Sequence, residues 1–101
     1  MKTIYVCSRF RGDVNKNKQL AKEYCKEIIS CGFLPIAPHI YFTEFMDDNN
    51  KEERELAFKF NKLLIDFCDE LWVYGQEISQ GMLIEINYAK EKNKRIKYKE
   101  N

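Results

Sequence analysis

The chain has 101 residues, which fits one domain and leaves no room for separate cofactor and substrate domains. Its 17 basic and 16 acidic residues give a formal net charge of +1, unlike proteins that neutralise many nucleic-acid phosphates. With 45% hydrophobic residues the chain can bury a core, so disorder is not expected. We predict a single domain over residues 1–101 and no nucleic acid polymer among its partners.

The N-terminus and the cysteines indicate a reduced, cytoplasmic protein. Residues 1–7 lack the basic start and long apolar run of a secretory signal, and no segment is apolar for long enough to span a membrane. We expect no membrane contact. Cysteines 7, 25, 31 and 68 form no C-x-x-C pair, and the single histidine leaves no partner set for zinc. The prediction is free thiols, no metal and no cofactor.

The first third of the chain predicts a strand, a helix and a second strand. Thr3–Cys7 is a short apolar run typical of a strand buried on both faces. From about residue 15 to residue 31 the apolar positions form one helical stripe, and Gly32 supplies the left-handed stop. Residues 33–37 predict a strand. Because Pro35 cannot donate to a ladder, this strand is expected at a sheet edge.

The rest of the chain alternates helices and strands. A helix is predicted from about Lys51 to Phe67, with one apolar face made of Leu56, Phe60, Leu63, Leu64 and Phe67. Residues 71–74 predict the next strand, and a third helix runs from about residue 81 to residue 92, stopped by Asn93. Residues 95–98 alternate polar and apolar side chains, as an exposed edge strand does.

The order β-α-β-α-β-α-β predicts an α/β fold. Crossovers of this length join parallel strands, so we expect a three-layer, Rossmann- or flavodoxin-like open sheet of about four strands with helices on both faces. Pro35 at one edge and Lys97 at the other favour the strand order 2-1-3-4. In such sheets ligands bind beyond the carboxyl ends of the strands, here between strands one and three.

Three loops lead away from that edge, and the first carries two arginines. It runs from Ser8 to residue 14 and precedes a helix N-terminus, where free N–H groups attract anions. Arg9 and Arg11 are candidates to hold a phosphate or carboxylate, or they are solvated surface charges. The chain contains neither a dinucleotide-binding glycine motif nor a P-loop, which argues against ATP hydrolysis.

The second loop, residues 38–50, is long and aromatic. Loops of this length in compact domains are usually functional lids or partner surfaces. Tyr41, Phe42 and Phe45 are therefore predicted either to stack on a base or to pack against another subunit. His39 is either a general acid or a hydrogen-bonded structural group.

The third loop, residues 75–80, leads into the helix that carries the sharpest signal. Glu85 lies three residues after Met82 and four before Ala89, so it shares the predicted buried face of this helix. A carboxylate at such a position is costly unless it has partners or a chemical role. Ser79 is a natural N-cap for the same helix.

These segments together resemble the nucleoside 2-deoxyribosyltransferase-like family, which includes deoxynucleoside monophosphate N-glycosidases and borders the SLOG group of nucleotide-ligand domains. The resemblance covers nearly the whole chain. It rests on residues 4–8 with Phe10 and Gly12, on residues 68–73, and on Gly81-Met82 followed by residues 85–89. Short members from phages and prophages are more similar still, since they share Pro38-His39, Tyr41-Phe42 and the Trp72-Val73 strand ending.

The resemblance implies roles for three residues. It implies that Glu85 is the nucleophile that attacks the anomeric carbon and forms a glycosyl-enzyme intermediate. Asn61 and Ser79 stand where the enzymes carry aspartates that hold ribose hydroxyls and serve the base. An amide and a hydroxyl can still bind a sugar, but they cannot donate a proton as a tuned acid does.

Two hypotheses from different classes follow. The first is a homo-oligomer that binds a nucleotide-derived small molecule, such as an ADP-ribose-like or cyclic nucleotide immune signal, and sequesters it as a phage anti-defence protein. The second is a nucleoside or nucleotide N-glycosidase or deoxyribosyltransferase in which Glu85 is the nucleophile and His39, Asp47 or Asp48 is the acid. The predicted ligand-binding residues are Cys7, Ser8, Arg9, Phe10, Arg11, Gly12, His39, Tyr41, Phe45, Asp48, Asn61, Gly75, Ser79, Gly81, Met82 and Glu85.

Overall fold

The structure is a computed structural model that describes residues 1–99. Four strands and four helices alternate along most of the chain. In chain order they are β1 (Thr3–Cys7), α1 (Val14–Ser30), β2 (Leu34–Ile36), α2 (Pro38–Phe42), α3 (Lys51–Phe67), β3 (Glu70–Tyr74), α4 (Gln80–Glu91) and β4 (Arg95–Lys99).

The strands form one parallel sheet in the order β2-β1-β3-β4, which confirms the predicted topology. Pro35 lies in the edge strand β2 opposite Ile4, where its missing N–H costs no interior ladder bond. β1 and β3 are central, and their side chains are buried on both faces of the sheet. The carboxyl ends of β1 and β3 therefore mark the switch point of the fold.

The sheet separates two apolar cores. On one face α1 contributes Tyr24 and Ile28, which pack with Ile4, Val6, Trp72 and Tyr74. On the other face α3 and α4 cover the remaining strand side chains. This second core contains Tyr5, Cys7, Ile65, Cys68, Leu71, Val73, Met82, Ile86 and Ala89. The protein is thus a three-layer α/β structure, as the sequence predicts.

The helix ends follow the signals in the sequence. Asp13, Asn50 and Ser79 cap α1, α3 and α4, each accepting a backbone N–H of the first turn. Gly32 after α1 has φ +84°, and Asn93 after α4 has φ 57°. Both residues end their helices in the left-handed conformation that glycine and asparagine adopt most readily.

Two sequence-based expectations are wrong. Residues 38–50 are not a continuous loop, because Pro38–Phe42 forms the short helix α2, whose first turn the fixed φ of Pro38 favours. The predicted apolar face of α3 is also not its buried face: Ile65 joins the core, whereas Leu63 and Phe67 are 65% and 77% exposed. Of the predicted set, Leu64 is the residue that packs against the core.

Three further properties concern the described part of the chain. None of its helices combines the length and apolarity that crossing a membrane requires. The four cysteines are free thiols, with Cys7 and Cys68 buried. Within residues 1–99, no group of three or more histidine, cysteine, aspartate or glutamate side chains is placed to hold a metal ion.

Candidate functional site

A cleft of about 490 Å³ opens at the carboxyl ends of β1 and β3. Its size suits a nucleoside-sized small molecule, since such sites occupy about 300 to 1,000 Å³. The loop after β1, α2, α3 and the first turns of α4 form its walls. Predicted residues that line it are Ser8, Phe10, Arg11, His39, Asp48, Asn61, Ser79, Gly81, Met82 and Glu85.

Several wall residues were not predicted from the sequence. Ala57 and Phe58 come from α3, and Ile84 comes from α4. The others are Thr43, Met46, Glu53, Arg54 and Gln80, while Phe42, predicted as a ring that stacks on a base or packs against another subunit, also lines the cleft. Asp47, expected only as a candidate acid, also lines the cleft. The residues on α3 could have been found by following the i, i+3 and i+4 positions around Asn61.

Glu85 stands on the inner side of α4 and is held by two neighbouring elements. The Tyr5 hydroxyl on β1 donates a hydrogen bond of 2.8 Å to Glu85 Oε2. Asn61 Nδ2 on α3 donates to the same oxygen at 3.2 Å. Tyr5 was predicted only as a strand residue, and its side chain reaches Glu85 because Tyr5 and Cys7 face the α3/α4 layer. The carboxyl group is thus fixed by side chains from both sides.

Burial controls the ionisation of Glu85. Desolvation raises its pKa from 4.5 to about 7, although hydrogen bonds from Tyr5, Cys7 and Asn61 act in the opposite direction. The carboxyl group therefore exchanges its proton near neutral pH. This is the range in which a carboxylate serves as an acid, a base or a nucleophile.

The neighbours of Glu85 stay protonated. Burial, and after it the charge of Glu85, raise the pKa of Tyr5 and of Cys7 well above their ordinary values. The Cys7 thiol lies below the cleft, 3.7 Å from the Met82 carbonyl oxygen. Cys7 is therefore a neutral donor beneath Glu85, without the lowered pKa that a nucleophilic cysteine requires.

Asn61 leaves one acceptor unused. Its Oδ1 is buried and has no hydrogen-bond partner within residues 1–99, while its Nδ2 is committed to Glu85. A buried carbonyl oxygen without a donor is costly, and such groups are rare in folded proteins. Asn61 also lines the cleft, so this unpaired oxygen belongs to a side chain of the cleft wall.

His39 contacts Ser8 across the cleft. The Ser8 hydroxyl and His39 Nε2 are 3.4 Å apart, and the rings of His39 and Phe10 have centroids 5.8 Å apart. Burial, assisted by the charge of Lys18, lowers the pKa of His39 to about 4. At neutral pH the imidazole is therefore uncharged, so His39 is poorly suited to the charged general-acid role.

The state of His39 gives a direct prediction. Because it is the only histidine of the chain, its Hε1 proton provides one resolved NMR signal. We expect this signal to titrate with a pKa of about 4 and to stay unchanged between pH 6 and 8. A midpoint near the ordinary value of 6.5 would contradict the buried placement of His39 in the cleft wall.

The two arginines of the first loop do not act as one pair. Arg11 lines the large cleft, and its Nε is 2.7 Å from Asp48 Oδ2. Arg9 lines a second cleft of about 300 Å³ together with Gly75, and packs over Gly12. Arg9 also lies 3.6 Å from Glu77. Of the two arginines, Arg11 alone is placed to meet a ligand of the large cleft.

The aromatic residues of α2 and the following turn lie in two different environments, the cleft wall and the exposed surface. Phe42 lines the cleft, and its ring centroid is 5.7 Å from that of Phe60 on α3. Tyr41 and Phe45 pack edge to face, 4.9 Å apart, outside the cleft lining, and are 66% and 57% exposed. Of these three aromatic residues, Phe42 is therefore the one whose ring lines the cleft.

The charges around the cleft disfavour a highly anionic ligand. Acidic side chains outnumber arginines in the lining, and Arg11 is already paired with Asp48. The charged lining residues are Arg11, Asp47, Asp48, Glu53, Arg54 and Glu85. A compact polar molecule with at most a small phosphate therefore fits this lining better than a polyphosphate.

Comparisons with known proteins give one family and one fold. Residues 2–99 match the model of a family described as a domain of unknown function, DUF7768. No curated protein matches the chain. A solved structure of a 2-deoxyribosyltransferase from the psychrotolerant bacterium Bacillus psychrosaccharolyticus superposes with a TM-score of 0.78 at 15% sequence identity. The superposition covers 97% of this chain and 72% of that enzyme, so the two share a fold.

Proposed function

The chain belongs to the DUF7768 family of domains of unknown function, and for this member we propose that the cleft binds a nucleoside-containing small molecule. The observation that carries the proposal is the environment of Glu85 and Asn61: a fixed carboxyl group next to a buried oxygen that lacks a donor. Adjacent hydroxyl groups of a ribose supply two donors, one for the Glu85 carboxylate and one for Asn61 Oδ1. Phe42 and Phe10 offer ring surfaces to a base.

A phosphate on the ligand is assigned to Arg11 and Arg54, which both line the cleft. Because Asp48 already pairs with Arg11, the phosphate has to displace this carboxylate. We therefore propose a nucleoside, or a nucleotide with one small phosphate, as the preferred ligand. We further propose that the ligand is a nucleotide-derived immune signal, which the protein sequesters on behalf of a phage. We also propose that the chain self-associates into a homo-oligomer.

A second candidate function, N-glycosidic bond cleavage, is favoured by the rigid positioning of Glu85. In this reaction a carboxylate oxygen of Glu85 forms a bond to C1′ while the C1′–N bond breaks and the base leaves with the electron pair. Water then cleaves the ester and restores the carboxylate. The neutral His39 and the ion-paired Asp48 offer weak help to the leaving base, which is why binding is the first candidate.

Incubation with a panel of nucleosides, nucleotides and cyclic nucleotides, followed by denaturation and chromatography, separates the two functions. We expect the bound molecule to be recovered intact. Release of free base by the natural sequence, and its loss in Glu85→Gln, would replace the binding proposal with the glycosidase. Absence of binding to every member of the panel would overturn both functions.

Filling the cleft provides the matched test of its location. Ala57 lines the cleft, so Ala57→Trp is expected to lower the affinity for the nucleoside found in the panel at least tenfold, measured by calorimetry. Leu83 on α4 is 49% exposed and outside the lining, and Leu83→Trp is the control. Equal affinities in the two variants would place the ligand elsewhere.

A further inference from the structure

A row of exposed apolar side chains runs along α3. Leu56, Leu63 and Phe67 are 43%, 65% and 77% exposed, and the half-buried Phe60 continues the row. These positions alternate spacings of four and three residues, which is the spacing of the apolar seam in paired helices. Single exposed apolar residues are common, but a continuous row bordered by charged residues marks an interaction surface.

We propose that this α3 row is the interface between two copies of the chain, packed with their α3 helices antiparallel. The proposal rests on the self-association proposed above and assigns it a surface and an orientation. It does not depend on the identity of the ligand.

The four row positions have the same spacing whether they are followed from the N-terminal or the C-terminal end of α3. In an antiparallel pair Leu56 faces the partner's Phe67, and Phe60 faces the partner's Leu63. Each contact then occurs twice about a twofold axis between residues 61 and 62. A twofold interface requires this reciprocity, in which residue i meets residue j and j meets i.

The flanking charges select the antiparallel orientation. Lys59 and Asp66 each precede a row residue and occupy the same flank of the helix, both exposed. In antiparallel helices these flanking positions face each other, which brings Lys59 opposite the partner's Asp66. A parallel pair would instead bring together the acidic first turns, which contain Glu52 and Glu53. Opposite charges thus meet in one orientation and like charges in the other.

The α3 row also lies next to the cleft. Phe60 belongs to the row and contacts Phe42, whose ring lines the cleft. Burial of Phe60 in an interface would hold Phe42 in place from behind. The row is therefore placed to stabilise one wall of the site.

Sedimentation velocity at micromolar concentration tests the surface. We expect a dimer, at least a tenfold increase of its dissociation constant in Phe67→Glu, and no change in the control Leu83→Glu on α4. Because Phe67 is 77% exposed, this variant keeps the monomer fold, which circular dichroism verifies. A monomeric natural protein would overturn both self-association and the surface. An assembly unaffected by Phe67→Glu would overturn the surface alone.

Cross-linking and charge reversal test the orientation. In a Cys31→Ser background, a mixture of Leu56→Cys and Phe67→Cys chains is expected to form a disulfide-linked heterodimer, whereas Leu56→Cys alone is not. Lys59→Asp and Asp66→Lys each weaken the dimer, and the double variant restores it. Asp66→Lys and the double variant both lose the hydrogen bond from Tyr88 to Asp66. A difference between these two variants therefore reports the contact between residues 59 and 66 alone. Preferential cross-linking of Leu56→Cys to itself would overturn the antiparallel arrangement.

Discussion

Glu85→Gln is expected to stabilise the protein by about 3 kcal/mol at pH 8, because the carboxyl group has a pKa of about 7 in the folded state and 4.5 when free. The folded state binds the proton more tightly than the unfolded state. The stabilisation that comes from the protonated Glu85 carboxyl group is therefore fully present below pH 4.5 and is lost as the pH rises to about 7. Above pH 7 the loss is complete and constant.

The measurement is the free energy of unfolding by urea at pH 4, 6 and 8, for the natural sequence and for Glu85→Gln. We expect the two curves to diverge progressively between pH 4.5 and 7. Glu91→Gln changes an exposed carboxyl group on the same helix and serves as the control, with an effect within about 0.5 kcal/mol. A destabilised Glu85→Gln at pH 8 would contradict the buried environment of Glu85.

A glutamine fits this site because its partners can be kept. Tyr5 and Asn61 both donate to the Glu85 oxygen, and a glutamine carbonyl can accept both bonds. Its amide group takes the place of the second carboxylate oxygen, which neither of these two bonds involves. The natural carboxylate is therefore retained at a cost in stability. Such a cost is expected at sites kept for binding or chemistry rather than for folding.

The sheet could be predicted because several independent signals in the sequence agreed with one another. The apolar run of β1, the edge position of Pro35 and the stop residues Gly32 and Asn93 all indicated one topology, and the structure confirms it. Local conformation and hydrophobic period are properties of neighbouring residues, so they can be derived from the chain alone.

The site was only partly predictable because it depends on which helix faces pack against the sheet and against each other. Glu85 stood out as a carboxylate among apolar positions, but nothing in the chain linked it to Tyr5, 80 positions away. On α3 two apolar rows compete, and periodicity does not say which one faces the sheet. Ile65 was buried while Phe67 stayed exposed, since packing against β1 and α4 decides the choice.

The direction of Arg9 and Arg11 could not be predicted for a similar reason. Residues two apart in a loop have no fixed relation, and here a glycine with φ +101° at position 12 helps turn the chain. Arg11 points to Asp48 and Arg9 to Glu77, on different sides of the loop. A pair that reads as one phosphate clamp in the sequence is thus divided between two clefts.

Asn61→Asp is expected to destabilise the protein by roughly 3 to 5 kcal/mol at pH 8, because it places a second carboxylate at 3.2 Å from Glu85 in place of a donor. Two carboxyl groups this close do not both ionise at little cost, so they are expected to titrate as a coupled pair that shares a proton. The pair binds protons more tightly when folded than when unfolded. The loss of stability should therefore be large at pH 8 and much smaller at pH 5.

Urea unfolding at the two pH values measures this effect, and Asn87→Asp is the matched control, since it makes the same chemical change at an exposed position of α4. We expect the control to stay within about 0.5 kcal/mol of the natural sequence at both pH values. An Asn61→Asp loss that is equal at pH 5 and pH 8 would mean that the new carboxyl group does not meet Glu85. Such a result would contradict the contact between Asn61 and Glu85 on which the proposed ribose site depends.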